Sequence, residues 1–401
     1  MVREIKKDGT LKSRLVARGF TQLEGKSFFQ TFVATPMVET IMISFAVSVQ
    51  KSWTPYAADC TQAFLQPEIP DFLKDLLYIK LPRDLNLGPT SEYQGGQIRS
   101  LRKLIYGCKH SGRIWQQFVT EIMLRYNGTV QSGKDQSTFY LRSEGEMVGI
   151  VIIMIDDILC LSEESTWKKL FGYLKSKLKI TGGDVASVWN GYELEKQSDG
   201  SLRASQTKQI METLKNLDIG GRECTLSDTP EDAKSKNWTS KEFMDDSGLN
   251  GPITKLYQSV FGSLIYFSYK SRPDLAHAMS RCGQVACAAS ETNLKGLLKV
   301  VGYLKSNPNR PLIFRKGTGF QVAAFQVAAY TFPQSKILQT LPKSVLTKSM
   351  FFNFTEKMFG SQTGFASFII RLIRQNFTKF RNDKVPRLEP YISEWAGKQN
   401  S

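Results

Sequence analysis

Residues 147–155 are apolar throughout apart from Gly149, the next two positions are Asp156 and Asp157, and an apolar stretch resumes over 158–161. No other feature restricts the fold as much. A run of that length is far short of a membrane span. It suits a central strand covered on both faces. Two carboxylates directly after such a strand are costly unless they reach solvent or a cation. The pattern predicts a strand, a tight turn bearing the acids, and a second strand.

The rest of the chain supplies the frame. Residues 1–20 alternate and are rich in Lys and Arg, with a turn at Asp8-Gly9, which predicts a basic β-hairpin. Helical spacing predicts helices over 38–50 and 111–126 and around Trp167, Leu170, Leu174 and Leu178. Strands are expected at 56–60, 76–81 and 137–141, with a polar hairpin over 188–204 and a helix at 206–217. Residues 225–252, rich in Ser, Asp, Lys and Gly, read as a linker, and helices follow at about 255–269, 274–288 and 292–306. A single antiparallel sheet with helices, followed by a helical segment, indicates the α+β class. After Gly317 a short block starting at Gln321 is duplicated from Gln326, too short for a solenoid repeat, and no fold can be assigned to 317–401.

Composition narrows the partners. The net charge is +16, from 53 basic against 37 acidic residues, which favours a polyanion because Lys and Arg release counterions from phosphates. The six cysteines form no CxxC pair, which excludes a zinc module at recognisable spacing. The start of the chain has no apolar signal core. These features predict a soluble chain, cytoplasmic or nuclear, with no membrane partner; its oligomeric state is open.

The carboxylates point to metal-assisted phosphoryl transfer. Such chemistry uses two divalent ions about 3.5–4 Å apart, and hard Mg²⁺ takes oxygen ligands. Neighbouring strand residues face opposite ways, so the two acids are unequal. Asp156 is expected to be the main ligand, with Asp157 less direct, and Asp59 at the end of the 56–60 strand is the best third carboxylate. Taken alone, an Asp-Asp pair after a strand is more often a solvated turn.

The company of that pair resembles the copia-type retrotransposon reverse transcriptases. Lys12-Ser13-Arg14-Leu15-Val16-Ala17-Arg18-Gly19-Phe20-Thr21-Gln22 is similar to the family's basic opening block, and Asp59-Cys60-Thr61-Gln62-Ala63-Phe64-Leu65 to its first aspartate motif. Leu104-Ile105-Tyr106-Gly107-Cys108-Lys109 resembles the next block and Met154-Ile155-Asp156-Asp157 the aromatic-x-Asp-Asp turn. Downstream, the stretch from Tyr257 to Tyr266, then Ser271-Arg272-Pro273-Asp274 and Gly302-Tyr303-Leu304-Lys305, resembles the segment after the polymerase. The resemblance covers roughly 1–316.

It implies a right-hand polymerase of fingers, palm and thumb over 1–224, a linker and helical connecting segment over 225–316, and a divergent basic tail over 317–401 in place of ribonuclease H. The implied activity is RNA-directed DNA polymerisation on a primed RNA or DNA template with deoxynucleoside triphosphates and two Mg²⁺. Asp59, Asp156 and Asp157 carry over as catalytic metal ligands, and Phe64 as a ring that excludes a ribose 2′-hydroxyl, with core packing as its alternative. Lys12 and Arg14 would grip the triphosphate or belong to a solvated hairpin, and Lys109 and Arg113 would line the nucleotide or template site. Trp115 and Phe118 read as helix core.

Departures from the family pattern are Met154 in place of an aromatic residue, His110 in place of Gln, and Gly112 in place of Pro or Ala. Compared with the family the sequence starts late and carries only Glu356, Asp383, Glu389 and Glu394 as acids after 317. A truncated or degenerate copy is therefore expected, with a catalytically inactive nucleic-acid-binding remnant as the alternative to an active enzyme.

Overall fold

The computed structural model describes residues 2–5, 9–25, 28–74, 76–83, 91–231 and 251–317. The duplicated block, the tail and most of the 225–252 linker lie outside these residues, as does Asp8 of the first turn. In chain order the strands are β1 (Val2–Ile5), β2 (Leu11–Arg14), β3 (Thr54–Cys60), β4 (Tyr78–Lys80), β5 (Ile98–Ser100), β6 (Thr129–Gln131), β7 (Thr138–Ser143), β8 (Glu146–Met154), β9 (Asp157–Ser162), β10 (Ile180–Val185), β11 (Val188–Trp189), β12 (Tyr192–Lys196), β13 (Leu202–Ser205) and β14 (Leu312–Phe314). The helices are α1 (Val38–Gln50), α2 (Asp71–Lys74), α3 (Ser111–Leu124), α4 (Glu164–Lys177), α5 (Thr207–Asn216), α6 (Pro252–Lys270), α7 (Ala276–Gln284) and α8 (Glu291–Ser306).

The main sheet has six antiparallel strands in the order β10-β3-β9-β8-β7-β6. Strand alternation divides its apolar residues between two cores. Val151, Ile153, Ile158 and Cys160 pack with Trp115, Val119 and Met123 of α3 and Trp167, Leu170 and Leu174 of α4. Ile150, Ile152, Leu159 and Leu161 pack with Ile41, Phe45 and Val49 of α1 and with Tyr192, Leu194, Leu202 and Ala204. The apolar run is thus a central strand covered on both sides.

The fold is α+β, yet it does not rest on a single sheet. β11, β12, β13 and β14 form a second, four-stranded sheet, and β14 returns from beyond the helices to pair with β13. Three residues of β14 are too few to show a period. β10 was hidden by Gly182 and Gly183, which weaken a strand pattern. Both have positive φ, and the register against β3 shifts between Gly182 and Val185.

Helices α6, α7 and α8 share a core with Ile210 of α5. Within it Arg272, only 1% exposed, forms a two-pronged pair with Asp274 at 3.0 and 2.8 Å and donates to the Asn307 carbonyl. The Tyr303 hydroxyl donates to the same carboxylate at 2.7 Å. Burial pushes the Asp274 carboxyl up, but these hydrogen bonds and the Arg272 charge outweigh it and the group ends below its ordinary value. A Cβ on Gly302 would meet the Thr225 carbonyl oxygen at 1.9 Å. Two downstream blocks thus meet in one polar knot.

Candidate active site

Chain direction and register assemble the acids. β8 and β9 form a hairpin whose last pair is Met154 with Asp157, leaving Ile155 and Asp156 as the turn. On the other side of β9, Asp157 pairs with Asp59 of β3. Asp59 and Asp157 therefore stand opposite one another on the same face, at the end of the sheet. The register places Asp157, rather than Asp156, across from Asp59, and Asp156 lies beside them in the turn. Its carbonyl accepts from the Cys60 backbone N–H at 2.8 Å, which ties the turn to the residue following Asp59.

The electrostatics carry the mark of three like charges. The Asp157 carboxyl is pushed up to about 6, by burial first and then by Asp156 and Asp59. The Cys60 thiol is pushed up to about 12 by burial and the fields of Asp59, Asp156 and Asp157. A divalent cation would relieve this repulsion, and three carboxylates are the hard-oxygen donor set magnesium takes. The chemistry of the donors fits such an ion. Among the described residues, no three His, Cys, Asp or Glu side chains are placed so that together they could hold a metal ion, so the fit lies in the chemistry of the donors and not in their present spacing.

The turn is strained. Ile155 has φ of 57°, where a β-branched side chain is a true outlier at a cost of about 1–3 kcal/mol. The indole N–H of Trp115 donates to its carbonyl at 2.6 Å. Trp115 is helix core, as its spacing suggests, and it also has this polar contact, which periodicity does not reveal.

A second group lies beside the acids. Phe64, in the 3₁₀ turn Ala63–Leu65, meets Tyr106 edge-on at 4.9 Å between ring centroids. The Arg14 guanidinium lies 5.4 Å from the centre of the same Tyr106 ring. Burial and then the Asp156 charge raise the Tyr106 hydroxyl, Arg14 opposes them, and Asp59 adds to the rise. Tyr106 links Arg14 and Phe64, and nothing in the spacing marked it out.

Backbone contact explains the meeting. The Ala17 N–H donates to the Tyr106 carbonyl at 2.8 Å. Gly107, at φ of 88°, has no room for a Cβ, which would stand 2.2 Å from the Ala17 carbonyl oxygen. The basic opening block and the 104–109 block are thus pressed together.

The remaining expected residues are more dispersed. Lys12 is in β2, and its side chain lies outside the described residues. Lys109 is exposed; its backbone N–H donates to Gln22 and its ammonium lies over the Phe28 ring at 5.7 Å. Arg113 is half-buried in the first turn of α3. His110 is 4% exposed with both ring nitrogens lacking a hydrogen-bond partner, and burial lowers its pKa. At Gly112, Val33 fills the space, 2.8 Å from where a Cβ would be.

Residues 2–230 match the model of the family described as reverse transcriptase (RNA-dependent DNA polymerase). The chain is 26% identical over 325 residues to the retrovirus-related Pol polyprotein from transposon RE1 of Arabidopsis thaliana, covering 80% of this chain and 21% of that protein. It is 28% identical, with the same coverage, to the corresponding polyprotein from transposon RE2. It is 21% identical over 318 residues to that from transposon TNT 1-94 of Nicotiana tabacum, covering 78% of this chain and 23% of that protein. The chain thus spans about a fifth of the length of these relatives. No described helix is long and apolar enough to cross a membrane. The ordered motifs, the α+β fold and these similarities converge: the chain belongs to the reverse transcriptase (RNA-dependent DNA polymerase) family, of the copia retrotransposon type.

Proposed function

We propose that the chain is an RNA-directed DNA polymerase that adds deoxynucleotides to a primer 3′-hydroxyl on an RNA or DNA template. In this reading the six-stranded sheet with α3 and α4 is the palm, the basic hairpin β1–β2 belongs to the fingers, and α6–α8 form the connecting segment. The observation that carries it is the pairing of Asp59 with Asp157, with Asp156 adjacent.

Asp59, Asp156 and Asp157 are the residues to hold two Mg²⁺, and the ions, when bound, would stabilise charge on the attacking and leaving oxygens. The chain's own groups position the substrates. Phe64, braced by Tyr106, would stand against the sugar and exclude a 2′-hydroxyl. Arg14, held on the Tyr106 ring, would present its guanidinium to the triphosphate, with Lys12 on the same strand; Lys109 and Arg113 would face the nucleotide or template more loosely. Lys103, Lys175, Lys177 and Lys179 line one open cleft beside Gln62 and suit a phosphate backbone.

A second reading, nucleic-acid binding without synthesis, is favoured by His110, buried with its ring nitrogens lacking a hydrogen-bond partner where Gln is usual, and by Met154 in place of an aromatic ring. Primer extension decides between them. The purified chain should extend a DNA primer on an RNA template with deoxynucleotides and Mg²⁺, and Asp156→Asn should abolish extension. Salt-sensitive binding without extension would select the second reading.

A further inference from the structure

We propose that Trp115 is a positioning residue whose indole N–H pins the turn carrying Asp156 and Asp157 against Asp59. This rests on the polymerase reading above. The turn has two residues, hence two carbonyls, and each is held by a different element. The Asp156 carbonyl is bound at 2.8 Å by the backbone N–H of Cys60, and the Ile155 carbonyl at 2.6 Å by the Trp115 indole of α3. One bond sets the turn against β3 and the other sets it against the helix beneath the sheet.

The second bond holds a conformation that the residue would otherwise leave. Ile155 is at φ of 57° and is 43% exposed, so full burial does not lock it there. The donor is well placed to do so. Trp115 is 1% exposed, its ring lies 6.0 Å from Phe118, and a buried indole N–H needs an acceptor. A small space lined by Val33, Gly112, Trp115, Gln116 and Ile155 adjoins the turn and gives the chain room to relax if the bond is lost.

The turn carries acids and not the groups assigned to the nucleotide, so the effects should separate. A displaced turn misplaces metal ligands, and an ångström of misplacement can cost on the order of a hundred-fold in rate. Binding of the triphosphate and of the primer–template depends on other side chains and should hold.

The test uses the full chain with two changes at one position. Trp115→Phe keeps a large ring and deletes the donor; replacing the indole with benzothiophene keeps the shape and also deletes it. Hydrogen exchange across the β8–β9 hairpin is measured without metal or substrate, together with kcat, KM and the Mg²⁺ requirement of primer extension. Both variants should exchange faster at 155–157 with α3 unchanged. They should show roughly a ten- to hundred-fold lower kcat, a higher Mg²⁺ requirement, and KM and primer–template affinity within about two-fold. Unchanged exchange at the turn overturns the inference. So does a general loosening of α3 and β8 with KM and kcat altered together, which would make Trp115 core packing only. If the unmodified chain makes no DNA, the polymerase reading fails, and the exchange at 155–157 still decides the clamp.

Discussion

Asp59 and Asp157 face each other across the β3–β9 ladder, and the Asp157 carboxyl is lifted to about 6 by burial and by its two acidic neighbours. An acid with a raised folded pKa keeps its proton where the unfolded chain has released it. The metal-free fold should therefore lose stability as pH rises from about 4 to about 6, with the full cost present above that window. Asp157→Asn should be more stable than the unmodified chain at pH 7.5 without divalent ions, by about 1–2 kcal/mol, and the gap should close below about pH 4. Denaturant melts across pH, with and without Mg²⁺, check this; a variant of equal or lower stability at pH 7.5 would count against mutual repulsion.

Phe64 is held by Tyr106 at 4.9 Å, so its ring has a fixed place. Phe64→Val should leave deoxynucleotide incorporation near normal and lower discrimination against ribonucleotides by roughly 10- to 100-fold. Competing single-nucleotide incorporation measures the ratio. An unchanged ratio would make Phe64 a core residue.

Gly107 is required by backbone geometry. Gly107→Ala puts a Cβ 2.2 Å from the Ala17 carbonyl oxygen at a φ of 88°, at a cost of about 1–3 kcal/mol. It should separate the two blocks and move Arg14 away from Tyr106. The expected result is a several-fold rise in KM for the triphosphate alongside a lower Tm. A normal KM would dissociate the Arg14–Tyr106 contact from nucleotide binding.

Much of this was legible in the sequence because its causes are local. The β8–β9 hairpin follows from apolar residues ending at two acids, and α1, α3 and α4 from helical spacing. β10 was not, because adjacent glycines erase a strand signal even where the backbone pairs. Of the second sheet, the hairpin over 188–204 was legible and β14 was not, because β14 joins it across the whole helical segment. That Asp59 would come near Asp156 and Asp157 was legible from the ends of β3 and β8, but which of the two stands across from Asp59 was not. Asp157 meets Asp59 through a register that depends on how β3 docks on β9. Tyr106 and the bond from Trp115 to Ile155 were hidden for the same reason: a ring's neighbour and a donor's acceptor are set by packing, not by spacing.

The downstream motifs have a structural role that can be measured apart from catalysis. Asp274→Asn leaves the buried Arg272 short of its charge partner and should cost about 3–5 kcal/mol. Tyr303→Phe removes one hydrogen bond and should cost about 1 kcal/mol. Because the folded Asp274 pKa is held down, its contribution is present above the ordinary carboxylate range and is lost as pH falls through the folded value. Denaturant melts of both variants at pH 7 and in acid check the sizes and the direction.

In the proposed polymerase, Asp59, Asp156 and Asp157 together hold divalent ions beside a primer end. Electron paramagnetic resonance of Mn²⁺ titrated into the chain with a dideoxy-terminated primer–template and the next deoxynucleotide tests it most directly. Saturation at two bound Mn²⁺ per chain is expected, with loss of binding in Asp59→Asn and Asp156→Asn. Two ions retained in both variants, or none bound by the unmodified chain, would contradict it.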